Sequence, residues 1–307
     1  MRICVVGAGA IGGWVAARLA LAGDQVMAHT SRGPLDAIRI NENGIEETAE
    51  LTRFDGHADL IIVAVKATAL SSAAQSAKAL IGPGTVIVPM LNGVPWWFVE
   101  RMQLKSVDPD GSIAAALPFE KIIGCVVHAA CSRSGETVVV KLADKLIIGE
   151  PAGGETSERV ARLFGVLDAA GLKPDITGNV RRSIWYKLWG NATTNPMSAL
   201  VRATTDRIHG DPFCRAWTLE GMAELARIGA SIGCPITESG EDRIKVALKL
   251  GAFKTSMLQD VEARRPIELE ALLGAPLEIA RAKGIPTPAL DRLYGVTKLM
   301  AESLGLS

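Results

Sequence analysis

The fold of the first half of this chain is decided by the stretch Val6-Gly7-Ala8-Gly9-Ala10-Ile11-Gly12. It follows a compact apolar run at Ile3–Val6 and opens a helical pattern at Ala10–Leu21. A G-x-G-x-x-G between a strand and a helix is typical of a dinucleotide-binding turn. Gly7 allows the tight turn, Gly9 lets backbone approach a pyrophosphate, and Gly12 lets the helix pack against the strand. The helix start then faces the phosphates, so residues 7–12 form a candidate cofactor site.

Further apolar runs alternate with helical patterns along the first half, at Gln25–Ala28, Asp59–Val65 and Thr85–Val88. Continuous apolar strands separated by helices predict a parallel sheet covered on both faces, which is an α/β Rossmann-like domain. From residue 122 to 150 the runs are β-rich, with a turn at Ser134-Gly135. They predict a small, partly antiparallel extension of that sheet.

The second half lacks strand patterns and is predicted to be helical. The predicted helices are Ser183–Val201, Pro212–Ile232, Glu241–Ala252, Glu268–Lys283 and Pro288–Ser303. Glycines and prolines separate these segments, as expected at helix ends. We therefore predict two domains, a Rossmann-like domain at 1–178 and an all-α domain at 179–307.

Length, charge and composition exclude several classes of protein. A chain of 307 residues predicts two domains and a core that needs no disulfide or metal. The 33 basic and 33 acidic residues cancel, which argues against nucleic acid as a partner. The sequence has no long apolar run for a membrane span, and its strand pattern begins at Arg2, so we expect a cytoplasmic protein. Five cysteines without C-x-x-C spacing predict free thiols, and four scattered histidines predict no metal site.

The end of the second predicted strand favours one nicotinamide cofactor over the other. An acidic residue there would bind the ribose of NAD, but this chain has Ser31 and Arg32. A hydroxyl and a guanidinium suit a 2′-phosphate, so the sequence favours NADP(H) over NAD(H), with FAD a further alternative. Lys66 and Asn92 follow later strands, where ligands bind in this fold class, although a strand-end lysine or a simple turn would look the same.

A lysine and two asparagines are aligned on one predicted helix. Lys187, Asn191 and Asn195 are spaced at four-residue intervals, which places them on one helix face. Large apolar neighbours desolvate the ammonium of Lys187, which favours proton donation. Reduction of a carbonyl needs such a donor at the oxygen, so Lys187 is a candidate acid that Asn191 orients. An amphipathic helix with exposed polar residues is the alternative.

The chain resembles the ketopantoate reductase family (2-dehydropantoate 2-reductase) through several motifs in order. These are V-x-G-x-G-A-I-G, a strand-end V-K, an N-G one strand later, W-x-K-L-x-x-N-x-x-x-N-P, and Ser256-Met257-Leu258-Gln259-Asp260 followed by Glu268. The resemblance implies a helical domain like the C-terminal domain of 6-phosphogluconate dehydrogenase. It also implies reduction of ketopantoate to pantoate with NADPH, in pantothenate biosynthesis.

The resemblance also assigns roles to residues. Lys187 matches the catalytic lysine, and Glu268 matches a carboxylate that engages the substrate and that lysine. Substrate-site positions of the family match Asn92, Asn191, Asn195 and Ser256. Cofactor positions match Gly7, Gly9, Gly12, Lys66 and Asn92. The residues alone do not point to Ser256 or to Glu268, which is equally a helix-start carboxylate.

Two stretches depart from the family pattern, and the first of them leaves the substrate open. Residues 94–98, Val-Pro-Trp-Trp-Phe, replace a small flexible stretch, so a 2-oxo acid other than ketopantoate is also a candidate substrate. Residues 107–120 resemble an insertion whose role the sequence does not give. A β-hydroxyacid dehydrogenase type of enzyme and a non-catalytic NADP-sensing protein also stay open. The apolar helical domain makes a homodimer plausible.

Overall fold

The chain forms two compact units in the computed structural model, which describes residues 1–249 and 251–306. The first unit comprises Met1–Leu91 and Gly111–Ser183. The second comprises Asn92–Asp110 and Ile184–Ser307. Residues 92–110 thus belong with the helical unit, and the return to the first unit falls inside the stretch 107–120. The division into domains at residue 178 stays a prediction.

Ten strands lie in the first unit and form two five-stranded sheets. In chain order the strands are β1 Arg2–Val6, β2 Gln25–Thr30, β3 Gly33–Pro34, β4 Ala37–Glu42, β5 Ile45–Glu50, β6 Ala58–Val63, β7 Ile81–Pro89, β8 Gly124–Ser134, β9 Thr137–Gly149 and β10 Pro174–Ile176. The first sheet has the order β3-β2-β1-β6-β7, and β2, β1, β6 and β7 are parallel. Their carboxyl ends therefore share one edge of the sheet, where ligands bind in this architecture.

The predicted extension of that sheet is a sheet of its own. Strands β8 and β9 pair antiparallel, as expected, and β9 also pairs in parallel with β4 and β10. The β4–β5 hairpin completes this second sheet. Only an isolated bridge between Ile87 and Ile122 joins β7 to the segment before β8 in the described residues. The expectation of one extended sheet was wrong because it overlooked β4 and β5, which give β9 other partners.

The helical segments of the first unit cover both sheets. They are α1 Ala10–Leu21, the 3₁₀ turn Ala67–Ala69, α2 Leu70–Lys78, α3 Ser112–Ala116, the 3₁₀ turn Phe119–Lys121 and α4 Glu158–Ala169. Helix α1 packs against β1 and β2 on one side and against β4, β5, β8 and β9 on the other. Its Trp14, Val15 and Leu19 are buried in the core that both sheets share. This packing fixes the start of α1 beside the glycine run.

The second unit is helical, which confirms the predicted fold class of an α/β domain followed by an all-α domain. Its helical segments are α5 Val180–Val201, which begins in the first unit, α6 Thr205–Gly210, α7 Pro212–Ser231, α8 Gly240–Leu248, α9 Ser256–Glu262, a π-helical turn Glu270–Gly274, α10 Ala275–Ala282 and α11 Pro288–Leu304. The indole N–H groups of Trp185 and Trp189 donate to carbonyls of α7 at 3.1 and 2.8 Å. These two bonds fix the rotation of α5 against α7.

The predicted helix Glu268–Lys283 is interrupted in the structure. Glu268 lies before the first helical residue, and Glu270–Gly274 form a π-helical turn before α10. Pro276 lies just after this turn and supplies the physical reason, because a proline lacks an N–H and its ring clashes with the carbonyl four residues earlier. The wider turn relieves that clash.

All five cysteines are free thiols, in agreement with the sequence. Burial raises the pKa of Cys4 to about 12, and burial together with Glu42 raises that of Cys131 to about 12. Among the described helices, none combines the length and apolar character needed to cross a membrane.

Candidate active site

The glycine run forms a tight turn that is crowded on its inner side. Gly7 has a φ of +98°, and the N–H groups of Gly7 and Ala8 both donate to the carbonyl of His29 at 2.9 Å. A Cβ on Gly12 would lie 2.2 Å from the carbonyl oxygen of Gly7 and 2.9 Å from the Cβ of Ala64. Only glycine fits at Gly12, because the crowding atoms include backbone that cannot move aside.

The outer side of the same turn is open. Gly9 is exposed, and a Cβ placed on it would meet nothing within 4 Å in the described residues. Gly9 also precedes α1, whose start receives no side-chain cap from the described residues and has no acidic residue in its first turn. An open surface beside uncapped N–H groups at the positive end of a helix fits a pyrophosphate. The predicted residues Gly7–Gly12 therefore fit a dinucleotide.

Ser31 and Arg32 lie at the tip of the two-residue turn between β2 and β3. Both are exposed, and the turn is closed by the pairing of Thr30 with Gly33. The Thr30 hydroxyl accepts the backbone N–H of Arg32 at 3.2 Å, which fixes the backbone of the tip. Burial, and secondly Arg53, lower the pKa of His29, so Arg32 rather than His29 carries the positive charge in this turn near neutral pH.

Lys66 follows β6 by three residues and lies at the same sheet edge as the glycine turn. Val63 ends β6, and the Ala64 N–H donates to the carbonyl of Val6 at 2.9 Å. Lys66 is half-buried and precedes a 3₁₀ turn that begins at Ala67. The carboxyl end of β6 thus places Lys66 at the sheet edge that carries the turn between β1 and α1; its role toward a cofactor stays a prediction.

Sequence reasoning missed Arg133, which contacts the glycine turn from the second sheet. Its Nη1 donates to the carbonyl of Ala8 at 3.0 Å, and its Nη2 donates to the carbonyl of Glu136 at 3.0 Å. Arg133 and Ala8 are 125 positions apart in sequence. A local sequence pattern cannot predict this contact, because the contact depends on how the β8–β9 hairpin packs against α1.

In the second unit, the structure brings together two predicted site residues, Lys187 and Asn92. The Nζ of Lys187 donates to the Oδ1 of Asn92 at 3.1 Å, and both side chains are half-buried. Lys187 lies on α5, while Asn92 lies in the turn that follows β7 and belongs to the second unit. Asn92 is thus one partner of the ammonium; that Asn191 orients the lysine stays a prediction.

Asn191 and Asn195 continue the face of α5 that carries Lys187. Asn191 is half-buried and Asn195 is buried. Helix α5 continues through Pro196, which cannot donate to the carbonyl of Ala192. The three polar residues thus keep the four-residue spacing on one continuous helix. Their joint role in a site stays a prediction.

Ser256 and Glu268 lie at the starts of two other helical segments. Ser256 is the exposed first residue of α9, which is capped by the side chain of Thr255 accepting the Leu258 N–H at 3.2 Å. Glu268 is half-buried, and its carbonyl accepts the N–H of Leu272 at 3.2 Å. Their substrate roles stay predictions.

The aromatic residues that follow Asn92 pack inside the second unit. Trp96, Trp97 and Phe98 are all buried. The Phe98 ring stacks on Trp185 of α5, with centroids 5.8 Å apart and planes 23° apart. Because Trp185 is also bonded to α7, this departure from the family pattern anchors the Asn92 segment to α5.

A glycine turn that fits a dinucleotide and a half-buried lysine bonded to an asparagine are features typical of a dinucleotide-dependent oxidoreductase. Family models agree with that class. Residues 3–153 match the model described as ketopantoate reductase PanE/ApbA, and residues 179–301 match the one described as ketopantoate reductase PanE/ApbA C terminal. The chain belongs to the ketopantoate reductase family, whose members use a nicotinamide cofactor.

Individual proteins show the same relationship. The chain is 37% identical to a 2-dehydropantoate 2-reductase of Mesorhizobium japonicum, over 99% of both chains. It is 45% identical to a candidate ketopantoate reductase of Ralstonia solanacearum MolK2, with a TM-score of 0.94 over 100% of this chain and 99% of that one. A D-mandelate dehydrogenase solved with NADH and anilino(oxo)acetate shares the fold, at 22% identity and a TM-score of 0.84 over all of both chains.

Proposed function

We propose that this protein reduces ketopantoate to pantoate with NADPH. The observation that carries the proposal is the ammonium of Lys187, half-buried and bonded to Asn92. The proposal is supported by the full-length similarity to a protein named 2-dehydropantoate 2-reductase. That relative exceeds one third identity along nearly its whole length, whereas the D-mandelate dehydrogenase supports the fold alone.

The chemistry needs a hydride at the carbonyl carbon and a proton at the carbonyl oxygen. A nicotinamide cofactor supplies the hydride when bound. As negative charge develops on the oxygen, Lys187 stabilises it and gives up one proton, so that the 2-oxo acid becomes a 2-hydroxy acid. The side-chain Oδ1 of Asn92 accepts a hydrogen bond from the ammonium and holds it in place. An ammonium carries three N–H groups, so it can also donate to the substrate oxygen.

The remaining predicted residues complete the proposal. Asn191, Asn195 and Ser256 supply neutral hydrogen-bonding groups for the substrate. Glu268 supplies a carboxylate for a substrate hydroxyl and for Lys187. Neutral donors suit an anionic acid that already has a lysine as its counter-charge, because they add orientation without a second desolvated cation.

We propose NADP(H) rather than NAD(H) as the cofactor. Residues 7–12 and Lys66 would hold its phosphates, while Ser31 and Arg32 would hold the 2′-phosphate. Arg32 lies at the end of β2, where an acid would select NAD, and its guanidinium can bind phosphate with two hydrogen bonds. A protein of the same fold was solved with NADH, so the test includes both cofactors.

The experiment is steady-state kinetics with ketopantoate and a panel of other 2-oxo acids, each with NADPH and with NADH. We expect the highest kcat/KM for ketopantoate with NADPH. Arg32→Ala should raise the KM for NADPH and leave that for NADH unchanged. The matched control is Arg162→Ala, an exposed arginine at the opposite edge of the first sheet, beside Met1 and Asp59. Equal kcat/KM values with NADPH and NADH would contradict the cofactor assignment. A higher kcat/KM for another 2-oxo acid would contradict ketopantoate as the substrate.

We also propose a homodimer, which the sequence favours through its apolar helical domain. A homologous fold from Staphylococcus aureus is described as a dimeric ketopantoate reductase. Light scattering on the active preparation measures the mass, and a monomer at assay concentration would remove this part of the proposal.

A further inference from the structure

One helical face in the second unit holds the segment that carries Asn92. We call Ala271, Gly274 and Glu278 the docking face, because each of them lies against the segment 93–106. The Ala271 carbonyl accepts the N–H of Val94 at 2.8 Å. A Cβ on the preceding residue, Gly93, would lie only 2.4 Å from that carbonyl oxygen. The backbone therefore approaches Ala271 as closely as only a glycine allows.

The other end of the segment is held by the rest of the docking face. The Glu278 carboxylate accepts the N–H groups of Lys105 and Ser106 at 2.8 and 2.9 Å, and the Ser106 hydroxyl at 2.7 Å. Gly274 also faces the loop, since a Cβ on it would make ordinary van der Waals contact, at 3.4 Å, with the Cβ of Ser106. The segment is thus fastened at both ends to one short stretch of helix.

Pro276 explains why the Ala271 carbonyl is available. In the π-helical turn, the Ala275 N–H donates to the carbonyl of Glu270, five residues earlier. The next residue in this pattern is Pro276, which would serve Ala271 but has no N–H. A buried carbonyl needs a donor, and here the donor is Val94 of the loop.

The same turn is linked to the candidate catalytic group. Asn92 lies two residues before Val94, and its Oδ1 accepts from the ammonium of Lys187. Glu268 directly precedes this helical segment, and its carbonyl accepts the Leu272 N–H. A shift of the turn would therefore move both the Asn92 amide and the backbone of Glu268.

We propose that Pro276 is a positioning residue. Because it has no N–H, the Ala271 carbonyl stays available to accept the N–H of Val94. This hydrogen bond fixes the position of the Asn92 side chain and, through it, that of the Lys187 ammonium. The role in catalysis rests on the proposed function, whereas the docking itself does not. Pro276 touches neither substrate nor cofactor, and acts through Val94 and Asn92.

The test is Pro276→Ala, which adds a competing N–H beside the Ala271 carbonyl. Alanine favours helix, so this variant keeps the fold. The matched control is Pro212→Ala, an exposed proline in the first turn of α7, where backbone N–H groups have no carbonyl partner within the helix. Hydrogen exchange at the Val94 amide, the NMR position of the Asn92 side-chain amide, the NADPH Kd, KM and kcat are measured for both.

For Pro276→Ala we expect faster exchange at Val94, a shifted Asn92 amide signal, and a kcat lowered by about three- to tenfold, the equivalent of one neutral hydrogen bond. The NADPH Kd should stay unchanged, and Pro212→Ala should match the wild type in every measurement. An unchanged exchange rate at Val94 would contradict the claim that Pro276 keeps the Ala271 carbonyl available to Val94. Faster exchange with an unchanged kcat would overturn the positioning role.

The proposed function can fail separately. If the wild type reduces no 2-oxo acid, the exchange at Val94 and the Asn92 signal still decide the inference. An Asn92 signal that Pro276→Ala leaves in place would then overturn it, and a shifted signal with faster Val94 exchange would support the docking arrangement.

Discussion

The glycine turn of the first unit and the lysine–asparagine pair of the second are built in opposite ways. The turn consists of neighbouring residues, Gly7–Gly12, and presents backbone groups. The pair joins the side chains of Lys187 and Asn92, residues 95 positions apart. The turn depends on space that only glycine leaves, whereas the pair depends on packing of the Asn92 segment against α5 and the docking face. The glycine turn is therefore specified by a short sequence motif, whereas the lysine–asparagine pair depends on the packing of the whole second unit.

This difference predicts which property each substitution changes. Substitutions in the turn should change cofactor binding, because backbone N–H groups and close approach are all that the turn supplies. Substitutions at the pair should change the rate of the chemical step and leave cofactor binding intact, because the proton is transferred only in the transition state.

The largest expected effect is that of Lys187→Ala. Loss of the proposed proton donor should lower kcat by about 10²- to 10⁴-fold, the usual contribution of a general acid, while the NADPH Kd stays unchanged. Steady-state kinetics and fluorescence titration of NADPH measure the two quantities. Lys298→Ala is the control, because that lysine is half-exposed on α11 and pairs only loosely with Glu302. If NADPH binding fell together with the rate, the separation of roles would be wrong.

Next come two glycine substitutions in the same turn. Gly12→Ala places a Cβ 2.2 Å from the Gly7 carbonyl oxygen, which should lower both the melting temperature and NADPH affinity, the latter by about tenfold to a hundredfold. Gly9→Ala places its Cβ in open space, so only NADPH affinity should fall, with an unchanged melting temperature. Calorimetry and NADPH titration separate the two cases. A Gly9→Ala variant that binds NADPH like the wild type would show that the open side of the turn is not the cofactor site.

The smallest expected effect on function is that of a substitution at Glu150. This residue forms an ion pair with Arg159 and is far from both regions in sequence. Its carboxylate accepts from Arg159 and from the Ser157 hydroxyl, and Arg159 also donates to the carbonyls of Glu120 and Ile122. The hydrogen bond from Arg159 is the largest cause of a pKa below the ordinary 4.5 for Glu150. A lowered pKa in the folded state stabilises the protein above about pH 4.5, and this stabilisation is lost as the pH falls through the folded value.

Glu150→Gln should therefore lower the free energy of unfolding at pH 7 by about 1–3 kcal/mol, with NADPH binding and kcat unchanged. The difference from the wild type should shrink below pH 4.5. Urea unfolding of the variant and the wild type, at pH 7 and at a pH below 4.5, measures this difference in free energy. A difference that grew on acidification would reverse the assigned sign.

The parts of the fold with a local pattern could be predicted from the sequence. The parallel strands and most helices follow from apolar runs and from glycine and proline positions. The β4–β5 hairpin was missed although its turn, Asn43-Gly44, has both residues at positive φ, the geometry that favours Asn-Gly in hairpins. The strands are short and largely exposed, so the apolar pattern was weak. That omission led to the wrong prediction of one extended sheet.

The candidate site divides in the same way. The residues of the glycine turn were predicted together with their geometric reasons. Lys187 was predicted from its helix, but its partner Asn92 follows from packing that no spacing reports. The π-helical turn could have been suspected from Pro276 inside a helical pattern, whereas the contact of Arg133 with Ala8 gives no signal in the sequence.

A double-variant cycle on Asn92 and Lys187 tests directly whether the two side chains act together. The single-turnover rate of NADPH oxidation with saturating ketopantoate is measured for Asn92→Ala, Lys187→Ala and the double variant. If Asn92 acts through the ammonium, its loss slows the wild type, but the double variant is no slower than Lys187→Ala, and NADPH binding is equal in all. Losses that simply add, or weaker NADPH binding in Asn92→Ala, would contradict the claim that the pair acts as one unit for proton transfer.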